Sequence, residues 1–227
     1  MKPHTFALIR RAGVVVGTTA MTLPLAGAAF ADTSALPLPV AHNDVQLVVK
    51  KARLNVLAGH RAVVSGLAKN AGAGEELVLE KRGHKKWHEV AHGRTLDGGV
   101  FRLRYTPRNT GSALLRVRLA DETAKAAAAK VGRVKVFRNA LVSWYGPGFY
   151  GGPLACGGAP LGVNQLGVAN KTLPCGTMVT IRYNGHQVRV PVIDRGPYVG
   201  DREFDLTGAT ARALRFDGVG VVQVSID

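Results

Sequence analysis

Apolar and polar residues alternate in short runs along most of the chain. Val100-Phe101-Arg102-Leu103-Arg104-Tyr105 alternates apolar with basic, and Leu115-Arg116-Val117-Arg118-Leu119 does the same. A period of two over five or six residues marks a half-buried β-strand. Turn residues break the runs at 70–74, 97–99 and 107–111, so short strands at this spacing predict a small antiparallel sandwich from about Val45. If Phe101, Leu103, Leu115 and Val117 face its core, Arg102, Arg104, Arg116 and Arg118 face outward. That gives either a guanidinium-rich face for phosphate or carboxylate groups or a solvated sheet face. Residues 121–131 are an Ala/Lys run that reads as a partly helical linker. Beyond it, residues 178–183 and 187–192 flank Asn184-Gly185, a strong hairpin signal, and residues 219–226 read as a last strand.

Composition sharpens this picture. Gly is frequent (28) and aromatics are sparse (6%), which favours turn-rich β structure over a helical bundle. Around residues 45–120, Trp87 leading into Gly99-Val100-Phe101 resembles bacterial immunoglobulin-like domains, which implies a sandwich of that type. The amino-terminal segment is different in kind. Lys2, Arg10 and Arg11 precede an uncharged stretch to Phe30, and Ala29-Phe30-Ala31 is a small-x-small site. Residues 1–31 are therefore expected to be a signal peptide cleaved after Ala31, with Pro24 and Gly27 arguing against a membrane anchor. No Cys follows Leu25-Ala26-Gly27, so no lipid anchor is expected either.

The chain carries 30 Lys+Arg against 15 Asp+Glu, a net charge of +15. Residues 41–138 hold 20 of the cations and 8 of the acids, whereas residues 139–227 hold 7 and 6. The excess thus belongs to the first half. A secreted chain has no ordinary access to nucleic acid, so the expected partner is an anionic polymer of the cell wall, held by the basic half.

Two patterns imitate catalytic motifs. His88-Glu89-Val90-Ala91-His92 matches the zinc-hydrolase pattern, whose chemistry needs a helix to put both His on one face with the Glu poised as base. Gly83 and Gly93 bracket the segment and its neighbours read as strands. On a strand Glu89 would point away from the two His, so no metal site is expected. Gly146-Pro147-Gly148-Phe149-Tyr150-Gly151 matches a dinucleotide fingerprint, but Pro147 and Pro153 oppose the helix that would receive a pyrophosphate, and no cofactor is expected. Cys156 and Cys175, the only cysteines, read as a disulfide in a secreted chain. The rival, a catalytic Cys, would have only His186 as a base nearby.

The second half gathers unusual residues: Ser143-Trp144-Tyr145-Gly146, Thr172-Leu173-Pro174-Cys175-Gly176-Thr177, Asp194-Arg195-Gly196-Pro197-Tyr198 and Phe204-Asp205-Leu206-Thr207-Gly208. With these motifs residues 141–227 resemble the rare lipoprotein A (RlpA) family of septal lytic transglycosylases, as found in secreted actinobacterial members. The Phe204 segment is also similar to expansins. For the second half the resemblance implies a six-stranded double-psi β-barrel (139–227), so the expected chain is all-β, with the immunoglobulin-like β-sandwich (41–120) and the linker (121–138) before it. It implies glycosidic cleavage of peptidoglycan strands with a 1,6-anhydro product. A carboxyl held protonated near the leaving oxygen could serve, and the resemblance points to Asp194, the expansin-like comparison to Asp205. Purely structural roles are a helix cap for Asp205 and an ion pair with Arg195 or Arg202 for Asp194. Trp144, Tyr145 and Tyr198 suit sugar stacking, with Asn170 and Arg195 as further contacts. The chain departs from the family at Asn170, where His is usual, and in lacking an acid in Cys156-Gly157-Gly158-Ala159. Both departures favour the rivals, an expansin-like glycan binder or wall loosener, or an interaction module for another wall enzyme.

Overall fold

The computed structural model describes residues 45–121 and 128–226. The expected signal peptide (1–31) and residues 122–127 of the Ala/Lys run lie outside the described residues. Thirteen strands and one short helix follow in order: β1 (Gln46–Arg53), β2 (Asn55–Leu57), β3 (Ala62–Lys69), β4 (Glu76–Arg82), β5 (Trp87–Arg94), β6 (Val100–Tyr105), β7 (Gly111–Leu119), β8 (Ala129–Tyr145), β9 (Val168–Asn170), β10 (Met178–Tyr183), β11 (His186–Asp194), β12 (Phe204–Thr207), α1 (Gly208–Leu214) and β13 (Gly220–Ile226). No described helix is long and apolar enough to cross a membrane.

The first half has two sheets around one core. β1, β3 and β6 form a three-stranded sheet, and β5, β4, β7 and β8, with β2 on β8, form the other. Alternation decides what faces inward. Val64 and Ala68 of β3, Phe101 and Leu103 of β6, Leu77 and Leu79 of β4, and Leu115 and Val117 of β7 are all buried in one cluster. Gly66 is required where it stands, because a Cβ there would lie 2.1 Å from the Val48 carbonyl oxygen and 2.6 Å from the Phe101 ring.

Bulges reset the alternation, two of them in β1 and β5. In β1 the register with β3 shifts between Val49 and Lys51, so Lys50 is a bulge and Lys51 and Arg53 turn to the outer face. In β5, Ala91 pairs with Leu79 and Glu89 with Glu80, which leaves Val90 as the extra residue. Glu89 and His92 therefore share a side, 3.5 Å apart, contrary to simple strand alternation. The His88–His92 segment is a strand, and zinc-hydrolase chemistry needs it helical.

The four arginines expected to form one face lie on two. Arg102 and Arg104 are exposed on β6, while Arg116 and Arg118 sit on β7 of the opposite sheet. The second pair is occupied. Both bond the buried Glu80 carboxylate, Arg118 also reaches Glu89 at 2.6 Å, and Arg116 stacks 4.3 Å over Trp87.

β8 is the seam. Its first part pairs with β7 and β2, its last part with β13 and β12. Residues 129–138, read from sequence as linker, are thus extended. The edge of β7 offers them a ladder, and tertiary pairing overrides the helical preference of an Ala/Lys run. Val136 and Phe137 are both buried, because at the crossing the strand is covered on both faces. Lys135 Nζ donates to Thr180 Oγ1 at 3.1 Å, and the Arg182 guanidinium lies 4.6 Å over the Phe137 ring.

The second half is a closed six-stranded barrel in the order β12-β9-β11-β10-β13-β8, with β8 pairing back to β12. Val142, Val168, Val190, Phe204 and Leu206 fill it. The β10–β11 hairpin turns on Asn184 and Gly185, both at positive φ (42° and 83°). Helix α1 is capped by Thr207, whose hydroxyl accepts from Thr210 N, so Asp205 is not its cap.

Burial alone would push the Glu80 carboxyl up, but the hydrogen bonds and charges of Arg116 and Arg118 outweigh it and hold it below its ordinary value of 4.5. A lowered native value means that this stabilisation is complete above the ordinary value and is lost as pH falls through the native one. Glu80→Gln is expected to cost about 2–3 kcal/mol at neutral pH and to flatten the acid limb of stability against pH. Urea unfolding over a pH series measures both, and an unchanged acid limb would refute the assignment.

Candidate active site

One row of residues crosses three barrel strands. Parallel pairing sets Asp194 of β11 opposite Ala169 of β9, and antiparallel pairing sets Ala169 opposite Asp205 of β12. Parallel pairing then sets Asp205 opposite Ser143 of β8. Cross-strand partners share a face, so the two carboxylates stand on the barrel's outer wall, two strand spacings or about 10 Å apart at the backbone. Only a methyl group stands between them. The chain from Gly146 to Gln165 arches over this row and closes a groove of about 580 Å³.

Each carboxylate is held differently. Asp194 Oδ1 accepts from the backbone N–H of Ala155 (2.9 Å) and of Arg195 (2.8 Å). No ion pair joins Asp194 to Arg195 or Arg202 among the described residues; Arg195 Nη1 instead bonds the carbonyls of Asn170 and Leu173. Asp205 Oδ1 accepts from the Ser143 hydroxyl, and Ser143 Oγ in turn accepts from Arg202 Nη1 at 2.9 Å. A fixed cation thus stands one hydroxyl away from Asp205.

Tyr145 lies at the groove's base, against Leu154, Leu161 and Ala169. Its hydroxyl is buried and bonds none of the described residues. Burial first, then the charges of Asp194 and Asp205, push its pKa well up, so the group stays an O–H donor. A phenol donor beside two carboxylates suits a groove that takes an oxygen-rich ligand. Phe149 and Tyr198 are exposed on the rims (64% and 76%), and Phe149 meets Tyr145 edge-on at 5.9 Å. Exposed rings flanking carboxylates are suited to stacking on sugar faces.

Of the residues singled out from sequence, Asp194, Asp205, Tyr145, Arg195 and Tyr198 line this groove; Trp144 and Asn170 do not. Trp144 packs on the barrel core and donates from Nε1 to Asp217 at 3.3 Å. Asn170 is buried and its amide makes three hydrogen bonds. Nδ2 donates to the Glu203 carbonyl, and Oδ1 accepts from Thr172 N and Leu173 N. Arg202 and Phe149 are site residues that the motifs did not reveal. Their signal was weak, a lone Arg and a Phe in a Gly/Pro-rich loop.

The arch is pinned covalently. Cys156–Cys175 joins it to the turn before β10, with Cα atoms 5.6 Å apart, one residue from the Ala155 N–H on Asp194. The dinucleotide-like stretch 146–151 sits in the same arch, where residues Pro147–Phe149 make a 3-10 turn.

Comparison with known proteins places this half. Residues 138–226 match the family described as "Lytic transglycolase". The chain is 33% identical over 205 residues to a protein of Synechocystis named "Probable endolytic peptidoglycan transglycosylase RlpA", covering 89% of this chain and 57% of that one. It is 38% identical over 91 residues to the "Endolytic peptidoglycan transglycosylase RlpA" of Campylobacter jejuni, covering 39% of this chain and 33% of the relative. The chain therefore spans little more than half of the first relative and a third of the second. Among solved structures, the Streptomyces papain inhibitor is 26% identical, covering 40% of this chain and 93% of that one, at a TM-score of 0.32.

Tyr145→Phe is expected to leave the melting temperature unchanged or raised, since the hydroxyl bonds none of the described residues; a clear fall would show that the hydroxyl holds the fold. Replacing both cysteines by Ser should cost about 3 kcal/mol for a loop of this length. It should also free the Ala155 amide, read as faster hydrogen exchange there than in the barrel strands.

Proposed function

Since residues 138–226 are an RlpA-like domain, we propose that the protein is a secreted lytic transglycosylase that cuts peptidoglycan glycan strands in the groove between Asp194 and Asp205. The observation that carries the reading is the row Asp194–Ala169–Asp205. Two carboxyl groups face one groove across a residue too small to fill it, beside a protonated phenol.

The chemistry needs few parts. A carboxyl group protonates the oxygen leaving the anomeric carbon, while the sugar's own primary hydroxyl attacks that carbon and gives its proton to a carboxylate. The product is a 1,6-anhydro sugar and no water is consumed, so one group can serve as acid and then base. Asp194 and Asp205 are the candidates for this role. Tyr145 donates a hydrogen bond to the bound sugar, Phe149 and Tyr198 stack on neighbouring residues of the strand, and Arg195 and Arg202 steady the two ends of the row. On this reading the two-sheet half is an immunoglobulin-like sandwich whose positive charge holds the protein to anionic wall polymer.

One observation favours a second reading, a glycan binder without turnover. Asn170 stands where the family usually has His, and its amide holds the turn at 170–173 and the Glu203 carbonyl. Unlike imidazole, an amide cannot act as a general acid or base.

Digestion of purified peptidoglycan, followed by mass spectrometry, separates the two. Wild type should release 1,6-anhydro fragments, and whichever of Asp194→Asn and Asp205→Asn removes the acid/base should lower release by about a hundredfold or more, with pelleting on glycan retained. Pelleting without any anhydro product from wild type would establish the binder instead.

A further inference from the structure

The outer face of the three-stranded sheet has an unusual charge pattern. Lys51 of β1 pairs with Ser65 of β3, and Ser65 with Arg102 of β6. Two residues on, Arg53 pairs with Val63, and Val63 with Arg104. Both rows therefore carry a cation at each edge and a short side chain in the middle. The result is a trough about 10 Å wide between two basic rails, with cations about 7 Å apart along each rail. The rail on β1 exists only because of the Lys50 bulge, since without the extra residue Lys51 and Arg53 would point into the core.

The trough continues into a second feature. Arg53 also lines a cavity of about 200 Å³ with His60, Arg61 and, from the barrel hairpin, Arg182. Arg53 is steadied by the Arg61 carbonyl at 3.1 Å. Arg182 is fixed by Gln223 and by the Phe137 ring.

Among the described residues no acid pairs with these cations; Glu76, Glu80, Glu89 and Glu203 pair with other arginines and with His92. β1, β3 and β6 contain no Asp or Glu. Like charges gathered without acids repel one another, and an external anion relieves that cost.

We infer that this trough and its cavity bind a phosphodiester polymer of the wall, of the polyol-phosphate kind. A phosphodiester keeps two free oxygens directed to opposite sides of its chain, so one group lying in the trough meets both rails. A carboxylate turns both oxygens to one side and engages a single rail. The trough floor, Val63 and Ser65, offers no aromatic ring for base stacking, which sets it apart from single-stranded nucleic-acid sites. Because Arg182 belongs to the barrel, the bound polymer touches both halves and is held beside the domain that carries the groove. The proposal rests on the wall reading only for the source of the polymer.

The test measures binding and not cleavage, so it stands or falls apart from the transglycosylase reading. The full chain without its leader is titrated with a fluorescent poly(glycerol phosphate), and pelleted on walls before and after hydrofluoric acid has stripped their phosphodiesters. Expected are salt-sensitive binding, loss of pelleting on stripped walls, and roughly tenfold or weaker affinity for Arg53→Gln/Arg104→Gln. The equal-charge control Lys85→Gln/Lys86→Gln should change affinity less than about twofold. Thermal melts check that both variants are folded. Equal losses in the two variants would mean that only net charge matters and would overturn the site. Equal affinity for polyglutamate or for anionic vesicles would overturn the phosphodiester assignment, as would undiminished pelleting on stripped walls.

Discussion

Everything in this fold hangs on the pairing of β8 to four other strands. Its seventeen residues run out of the two-sheet core at Val134 and Val136, cross the seam at Phe137, and enter the barrel at Ala140 and Val142. The last three residues then supply Ser143 and Tyr145 to the groove. From Val134 onward the side chains alternate, so the register that buries Val142 also turns Ser143 towards Asp205 and Tyr145 to the foot of the site. A one-residue slip would exchange the two sets. The barrel core therefore orients the polar row.

That row also shows why the two acids were hard to rank from their motifs. Asp194 and Asp205 are eleven positions apart in sequence and on strands that do not pair with each other. Ala169 brings them together by pairing with both. Their surroundings differ in a way that local sequence does not encode: two backbone amides on one, a hydroxyl backed by Arg202 on the other.

Legibility followed the range of the interaction. The hairpin at Asn184-Gly185, the alternation of β6 and β7, and the cysteine bridge depend on short spacings or on a pairing with one solution, and sequence reasoning reached them. The bulges at Lys50 and Val90 were out of reach, because one extra residue is defined only by the partner strand. They decide which cations sit together, so a single basic face was expected where two differently furnished faces exist. The Ala/Lys run read as linker because helix propensity is local, whereas the edge of β7 that claims residues 129–138 is not. Asn170 and Trp144 carried family motifs, and motif membership does not separate a residue that touches ligand from one that shapes the turn behind it.

Seen as a mechanical part, β8 has a further meaning. The two halves are joined by one uninterrupted strand, hydrogen-bonded first to β7 and β2 and then to β13 and β12. A pull that separates the halves runs along the strand axis, across its ladder bonds, so the load is shared by many bonds at once instead of opening them in turn. Tension in whatever the first half holds would arrive, undiluted by any flexible joint, at the residues beside the carboxylate row.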